Sequence, residues 1–131
     1  MTRDLTYMMD IVDALMQAGW SEKAIGEEIN IASAREIEIV QLAQTINQLT
    51  GNKAGLTYTD SRKWDTKSRL LASIDRAKDL LGYDPHTTFE EGLGQTIQWF
   101  KDNWDAINRD AEFPPGMSSA VKNYVLEQSI D

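Results

Sequence analysis

The stretch GEEINIASAREIEIVQLAQTINQLTG, residues 26–51, changes its periodicity halfway along. EEINIA alternates, with Ile29 and Ile31 on one side, as a short strand does. From Ile39 the apolar residues recur at helical spacing: Ile39, Leu42, Ala43, Ile46 and Leu49 share one face, and Gly51 supplies the stop. GLTYT (55–59) then places Leu56 and Tyr58 on one side, a second strand pattern. A strand, a helix of about 12 residues and another strand predict a βαβ unit with parallel strands.

Towards the N-terminus, Met8, Ile11, Val12, Leu15 and Met16 predict a helix stopped by Gly19, and 20–27 form a polar connection. Beyond GLTYT, residues 60–72 are charged and irregular. A helix is expected over 73–81, ending at Gly82 with Pro85 beyond. Thr88 and Glu91 have capping-box spacing, and Phe89, Leu93, Ile97, Phe100 and Trp104 line one face of the helix that follows. EFPPG (112–116) breaks it, and Val121, Tyr124 and Val125 predict a last helix. The expectation is an α/β fold, helix-rich with a small, partly parallel sheet. It has one domain over 1–108 and a tail over 109–131.

At 131 residues the chain is long enough for one modest core. Its 13 basic residues are outnumbered by 21 acidic ones and form no run, which argues against a nucleic-acid partner. No apolar run approaches the roughly 20 residues of a membrane span, and no signal-like flank opens the chain. The absence of cysteine removes disulfides and thiolate metal sites and fits a cytoplasmic setting.

Catalytic motifs are scarce. His86 follows Asp-Pro in a turn without visible partners, so it reads as a solvated turn residue. GLGQT (92–96) imitates a phosphate loop, but it falls inside the helix capped by Thr88, whereas such a loop joins a strand to a helix N-terminus. The acidic pairs Glu27/Glu28 and Glu90/Glu91 read as solvated charges. Trp99 and Trp104 read as core or core-rim residues, and Trp64 lies in a polar loop. No metal site and no catalytic residue is expected. Arg3, Arg62 and Arg69 remain: converging guanidiniums would make a fork-like site for a diphosphate, though spacing alone does not show that they converge.

Three segments resemble one family. GEEINIASAREIEIVQLAQTINQLTG is similar to G-E-x-x-N-I-G-S-G-x-E-x-S-I-x-E-L-A of the extended short-chain dehydrogenases/reductases, the NAD-dependent nucleotide-sugar epimerases, dehydratases and decarboxylases. SRLLASIDRAKDLLGYDPHTTFEEGLGQTIQWFKDNW resembles the family's closing D-I-S-K-A-K-x-x-L-G-W-x-P and L-E-E-G-L-x-x-T-I-x-W-F. RDLTYMMDIVDAL resembles R-D-F-x-Y-V-x-D-x-x-x-A. The likeness runs from about residue 3 to 104, in the family's order, and covers only its C-terminal half.

The resemblance implies a substrate-binding domain that closes over the diphosphate of a UDP- or dTDP-sugar. It carries Arg3 from the R-D-x-x-Y motif and Arg62 and Asp65 from R-x-G-D to the pyrophosphate, with Arg69 assigned more loosely. It implies no cofactor site in this chain. The NAD loop and the Tyr-x-x-x-Lys pair belong to the family's Rossmann half, and no tyrosine here is followed by lysine four residues on. The chain is therefore expected to be a fragment or truncated homologue, inactive alone. Its implied partner is a Rossmann domain, or a second copy, on an exposed apolar face. The alternative is a standalone binding module that kept the fold. Ala32 and Ala34 replace two family glycines and would be strained at positive φ. Glu38 replaces a serine as a poorer cap, Ser73 replaces an aspartate, and Trp64 replaces a small residue.

Overall fold

The computed structural model describes residues 1–60 and 66–110. The chain's first strand is the centre of its small sheet. β1 (Thr2–Asp4) pairs antiparallel with β2 (Glu36–Glu38), Arg3 lying opposite Ile37. On its other edge the Thr2 N–H donates to the Ser68 carbonyl (2.9 Å) and the Leu70 N–H donates to the Thr2 carbonyl (3.3 Å), a parallel bridge to Arg69. The helix-rich α/β class stands, but the parallel component is this single bridge. The expected βαβ unit is not formed: neither 27–32 nor 55–59 belongs to a strand. Alternation alone does not make a strand, because the backbone N–H and C=O groups need a ladder partner.

α1 (Met8–Trp20) runs through Gly19 and ends at Ser21, so that glycine is not a stop. The helix also turns an unexpected face inward. Asp10 and Ala14 are buried, whereas Met8, Leu15, Met16 and Trp20 are more than half exposed. α2 (Ile39–Thr50) has no side-chain cap at Glu38, as expected of glutamate there. The Ile39 N–H, the first of the helix, donates to the Met1 carbonyl (3.0 Å), so one of the donors left open at the helix start is met by the segment leading into β1. Gly51 closes α2 in the left-handed region at φ 69°, where glycine carries no Cβ penalty.

α3 (Asp75–Leu81) is preceded by Ser73, whose Oγ accepts from the Asp75 N–H (3.3 Å). α4 (Phe89–Asp102) opens on the expected capping box. The Thr88 N–H donates to Glu91 Oε2 (3.0 Å), and the Glu91 N–H donates back to Thr88 Oγ1 (3.3 Å). The Thr88 hydroxyl, first, and its N–H hold the Glu91 carboxyl below the usual range. The apolar face expected to continue through Trp104 is interrupted at Asn103, whose side-chain amide also donates to the Trp99 carbonyl (2.9 Å). α5 (Trp104–Asp110) follows. The helix expected near residues 121–125 lies outside the described residues, as does Trp64.

Met1–Thr96 forms one compact unit, and Ile97 begins a second. The core of the first unit is small. Ala14, Ala32, Ile74, Ala77 and Tyr83 are buried together, with Ile29, Ile31, Ala72 and Leu81 packed against them. The Tyr83 hydroxyl donates to the Ala32 carbonyl (3.0 Å), and burial, then the charges of Asp10, Asp4 and Asp84, push its phenol up. Of the two alanines standing for glycines, Ala32 serves this core, and Ala34 alone adopts positive φ (55°). An L-residue there costs about 1–2 kcal/mol.

Candidate functional site

Two aspartates from the opening segment hold the loops around β1. Asp4 Oδ1 accepts from the Ser33 N–H (2.9 Å) and Ser33 Oγ (2.6 Å), and Oδ2 accepts from the N–H groups of Ala34 (3.1 Å) and Ala72 (3.5 Å). One carboxylate thus ties together β1, the turn before β2 and the approach to α3. It also pins the turn containing the left-handed Ala34. Asp10, 2% exposed, accepts from Thr87 Oγ1 (2.7 Å) and the Thr87 N–H (3.3 Å), and His86 Nδ1 lies 3.8 Å from its Oδ1. That fixes the loop leading into α4. In the sequence Asp10 appears only as the aspartate of RDLTYMMD, with no role assigned to it. The signal that would have found both anchors is a pair of carboxylates six residues apart around Tyr7, the one half-buried and the other buried.

Arg3 sits on β1, and its Nη1 donates to the Lys67 carbonyl (3.2 Å), two residues after Asp65 in the sequence, and to the Thr2 carbonyl (2.7 Å). Strand alternation puts Arg3 on the face of Ile37, and Thr2, Asp4 and Glu36 on the other. Arg69 belongs with the second group. Its Nε and Nη2 form a two-pronged contact with Glu36 (2.7 and 2.8 Å), and Thr2 Oγ1 donates to the same carboxylate (2.7 Å). Arg3 and Arg69 therefore lie on opposite faces of the sheet. Arg62 and Asp65 lie outside the described residues.

The Arg69 fork, then the Thr2 hydroxyl, lower the Glu36 carboxyl to about 2 from 4.5. A carboxyl so depressed contributes stability above its unfolded value, and that contribution is lost as pH falls through about 2. The pair is solvent-facing, so the contribution is small. Arg69→Leu is expected to return the Glu36 titration towards 4.5, read from its side-chain carboxyl resonance. An unmoved midpoint would assign the shift to another group.

Just beyond β1, Leu5 lines a cleft of about 290 Å³ whose walls include Tyr7, Met8, Leu42, Phe89 and Leu93. Gly92 lies on its floor, where an added Cβ would stand 3.1 Å from the Tyr7 side chain. The Tyr7 hydroxyl donates to Gln95 Oε1 (2.7 Å). A larger residue at 92 would press on Tyr7, which would have to give by a few tenths of an ångström, and GLGQT is helical as expected. Among the described residues no group of carboxylates and histidine could hold a metal ion. No described helix is long and apolar enough to cross a membrane. The family's NAD has no fitting cradle among them either, since the only Gly-x-Gly lies inside α4.

No family model matches the chain. A UDP-N-acetyl-alpha-D-glucosaminuronate decarboxylase of Bacillus cytotoxicus is 33% identical over 106 residues, which are 77% of this chain and 33% of that protein. Among solved structures, the epimerase Mth375 of Methanothermobacter thermautotrophicus is 48% identical with a TM-score of 0.81, over 83% of this chain and 32% of that one. The Bordetella bronchiseptica enzyme WbmF, crystallised with NAD+ and UDP, is 31% identical with a TM-score of 0.68 over the same shares. The chain spans about a third of the length of the relatives it matches.

Proposed function

This chain belongs to the extended short-chain dehydrogenases/reductases, matching their C-terminal part, and from that membership we propose that it supplies the substrate grip of a sugar-nucleotide epimerase or decarboxylase acting in the cytoplasm. The observation that carries the reading is the hydrogen bond from Arg3 to the Lys67 carbonyl. It sets the R-D-x-x-Y arginine beside the segment that follows Arg62 and Asp65, a proximity that spacing alone did not reveal. Arg3 and Arg62 would then meet the pyrophosphate with planar, permanently charged forks, with Asp65 orienting them. Arg69, committed to Glu36 on the other face, would brace the sheet edge instead.

NAD supplies hydride chemistry in the family, and no residue of this chain is assigned to it. The chain's own role is to bind and orient a UDP-sugar, and alone it turns over no sugar nucleotide. The exposed apolar side of α1, with Met8, Leu15, Met16 and Trp20, supports packing against the family's dinucleotide-binding half. Titration with UDP tests the grip. Arg3→Ala and Arg62→Ala are each expected to weaken binding about 10- to 100-fold, the worth of one charge-assisted hydrogen bond. Affinity unchanged in the double variant would reject the diphosphate role, and turnover of UDP-glucose by the clean chain with NAD would reject the division of labour.

A further inference from the structure

Every polar group of Thr2 is engaged at one place in the fold. Its N–H donates to the Ser68 carbonyl (2.9 Å), and its carbonyl accepts from the Leu70 N–H (3.3 Å) and from Arg3 Nη1 (2.7 Å). Its hydroxyl donates to Glu36 Oε1 (2.7 Å). The same oxygen accepts from Arg69 Nε (2.7 Å), and Oε2 accepts from Arg69 Nη2 (2.8 Å). Glu36 stands on β2, and Arg69 lies along the other edge of β1, so this fork crosses the middle strand and ties both of its neighbours together. On the opposite face, Arg3 Nη1 also donates to the Lys67 carbonyl (3.2 Å). Lys67 is two residues before Arg69, so whatever holds 67–70 in register on β1 also sets the carbonyl that aims Arg3. The backbone supplies only two hydrogen bonds along that edge, and the rest of the hold comes from the fork.

We propose that Glu36 is a positioning residue of the diphosphate grip, acting through Arg69 and Thr2 to fix 67–70 against β1 and so to hold the Arg3 guanidinium in its binding orientation. This rests on the reading of Arg3 as a diphosphate contact. A long side chain grips an anion best when its orientation is set before the ligand arrives, because the ordering is then not charged against binding. The fork faces solvent, so it adds little to overall stability. Its effect on the site and its effect on the fold are therefore separable. The sign of the effect also identifies the role. By charge alone, removing the Glu36 carboxylate favours an anionic ligand. Were Arg69 itself a diphosphate contact, removing that carboxylate would release it and again favour the ligand. Only a positioning role makes the loss of this negative charge weaken the binding of a negative ligand.

Calorimetric titration of the full chain with UDP tests this in four proteins: wild type, Glu36→Gln, Arg69→Leu and the double variant. A glutamine offers one oxygen to the fork and turns an amide towards Arg69, so it breaks the brace with little change in size. Glu36→Gln is expected to weaken UDP binding about three- to tenfold, the cost of ordering one long side chain at the moment of binding. The two single losses are expected not to multiply in the double variant, since both remove one device. The Leu70 amide should exchange faster in each variant, with the urea midpoint close to wild type. UDP affinity in Glu36→Gln equal to or tighter than wild type overturns the proposal. So do losses that multiply, an unchanged Leu70 amide, or a large fall in the urea midpoint, which would make Glu36 a support of the whole fold. A wild-type chain that takes up no UDP overturns the diphosphate reading and this inference with it, whereas a binding wild type with an unaffected Glu36→Gln overturns this inference alone.

Discussion

Asp4→Ala is expected to cost about 3 kcal/mol, a large part of the roughly 5–15 kcal/mol that holds a domain together. The carboxylate receives three backbone N–H groups and two hydroxyls, and all but the Thr6 hydroxyl come from segments far along the chain. Hydrogen bonds to a charged acceptor are worth about 1.5–3 kcal/mol each, but several on one half-buried group do not add. The variant also removes what holds Ala34 left-handed, so the turn is free to relax and β2 loses its lead-in. Asp4→Asn keeps one carbonyl acceptor and should fall between wild type and alanine. Urea unfolding followed by circular dichroism measures the order of the three proteins. A loss below about 0.5 kcal/mol for alanine, the range of an ordinary surface change, would remove Asp4 from the centre of the fold.

Asp10→Ala is the second large effect, about 2 kcal/mol. The side chain is almost fully buried, so its removal leaves the Thr87 N–H without its acceptor in a site that water reaches poorly. The damage should be local. Thr87 precedes the capping box of α4, and amides over 87–91 are expected to exchange faster while those of α2 keep their protection. Uniform loss of protection would instead mean that Asp10 supports the whole core.

What was legible in the sequence follows from how local each interaction is. The capping box of Thr88 and Glu91, and the glycine ends of α2 and α3, were readable because donor and acceptor lie within a few residues of each other. The strain at Ala34 was readable from the family's glycine. β1 was not, because a three-residue strand has no periodicity and exists here through partners about 34 and 67 residues away. The strand pattern of 27–32 was real as alternation, yet pairing cannot be deduced from one strand. α1 misled in another way: its apolar stripe is exposed, and it buries an aspartate and an alanine. For the site, Arg3 and Arg69 were equivalent as charges, and only the sheet separates them by face. Asp4 and Asp10 looked like ordinary acids, since the groups they receive come from residues 33, 34, 72 and 87.

The central place of β1 also has a kinetic meaning. β1 is synthesised well before the residues that complete it. β2 arrives about 34 residues later, and the carbonyl of Ser68 and the amide of Ala72 later still. Closing such long loops delays the nucleus, and until Ala72 is made Asp4 gathers only the amides of Ser33 and Ala34. During synthesis the β1–β2 pair, α1 and α2 can form first, but the other edge of β1 must wait for the approach to α3. Folding of this chain is therefore paced by its distant contacts, and a nascent chain that ends before residue 68 holds β1 by β2 alone.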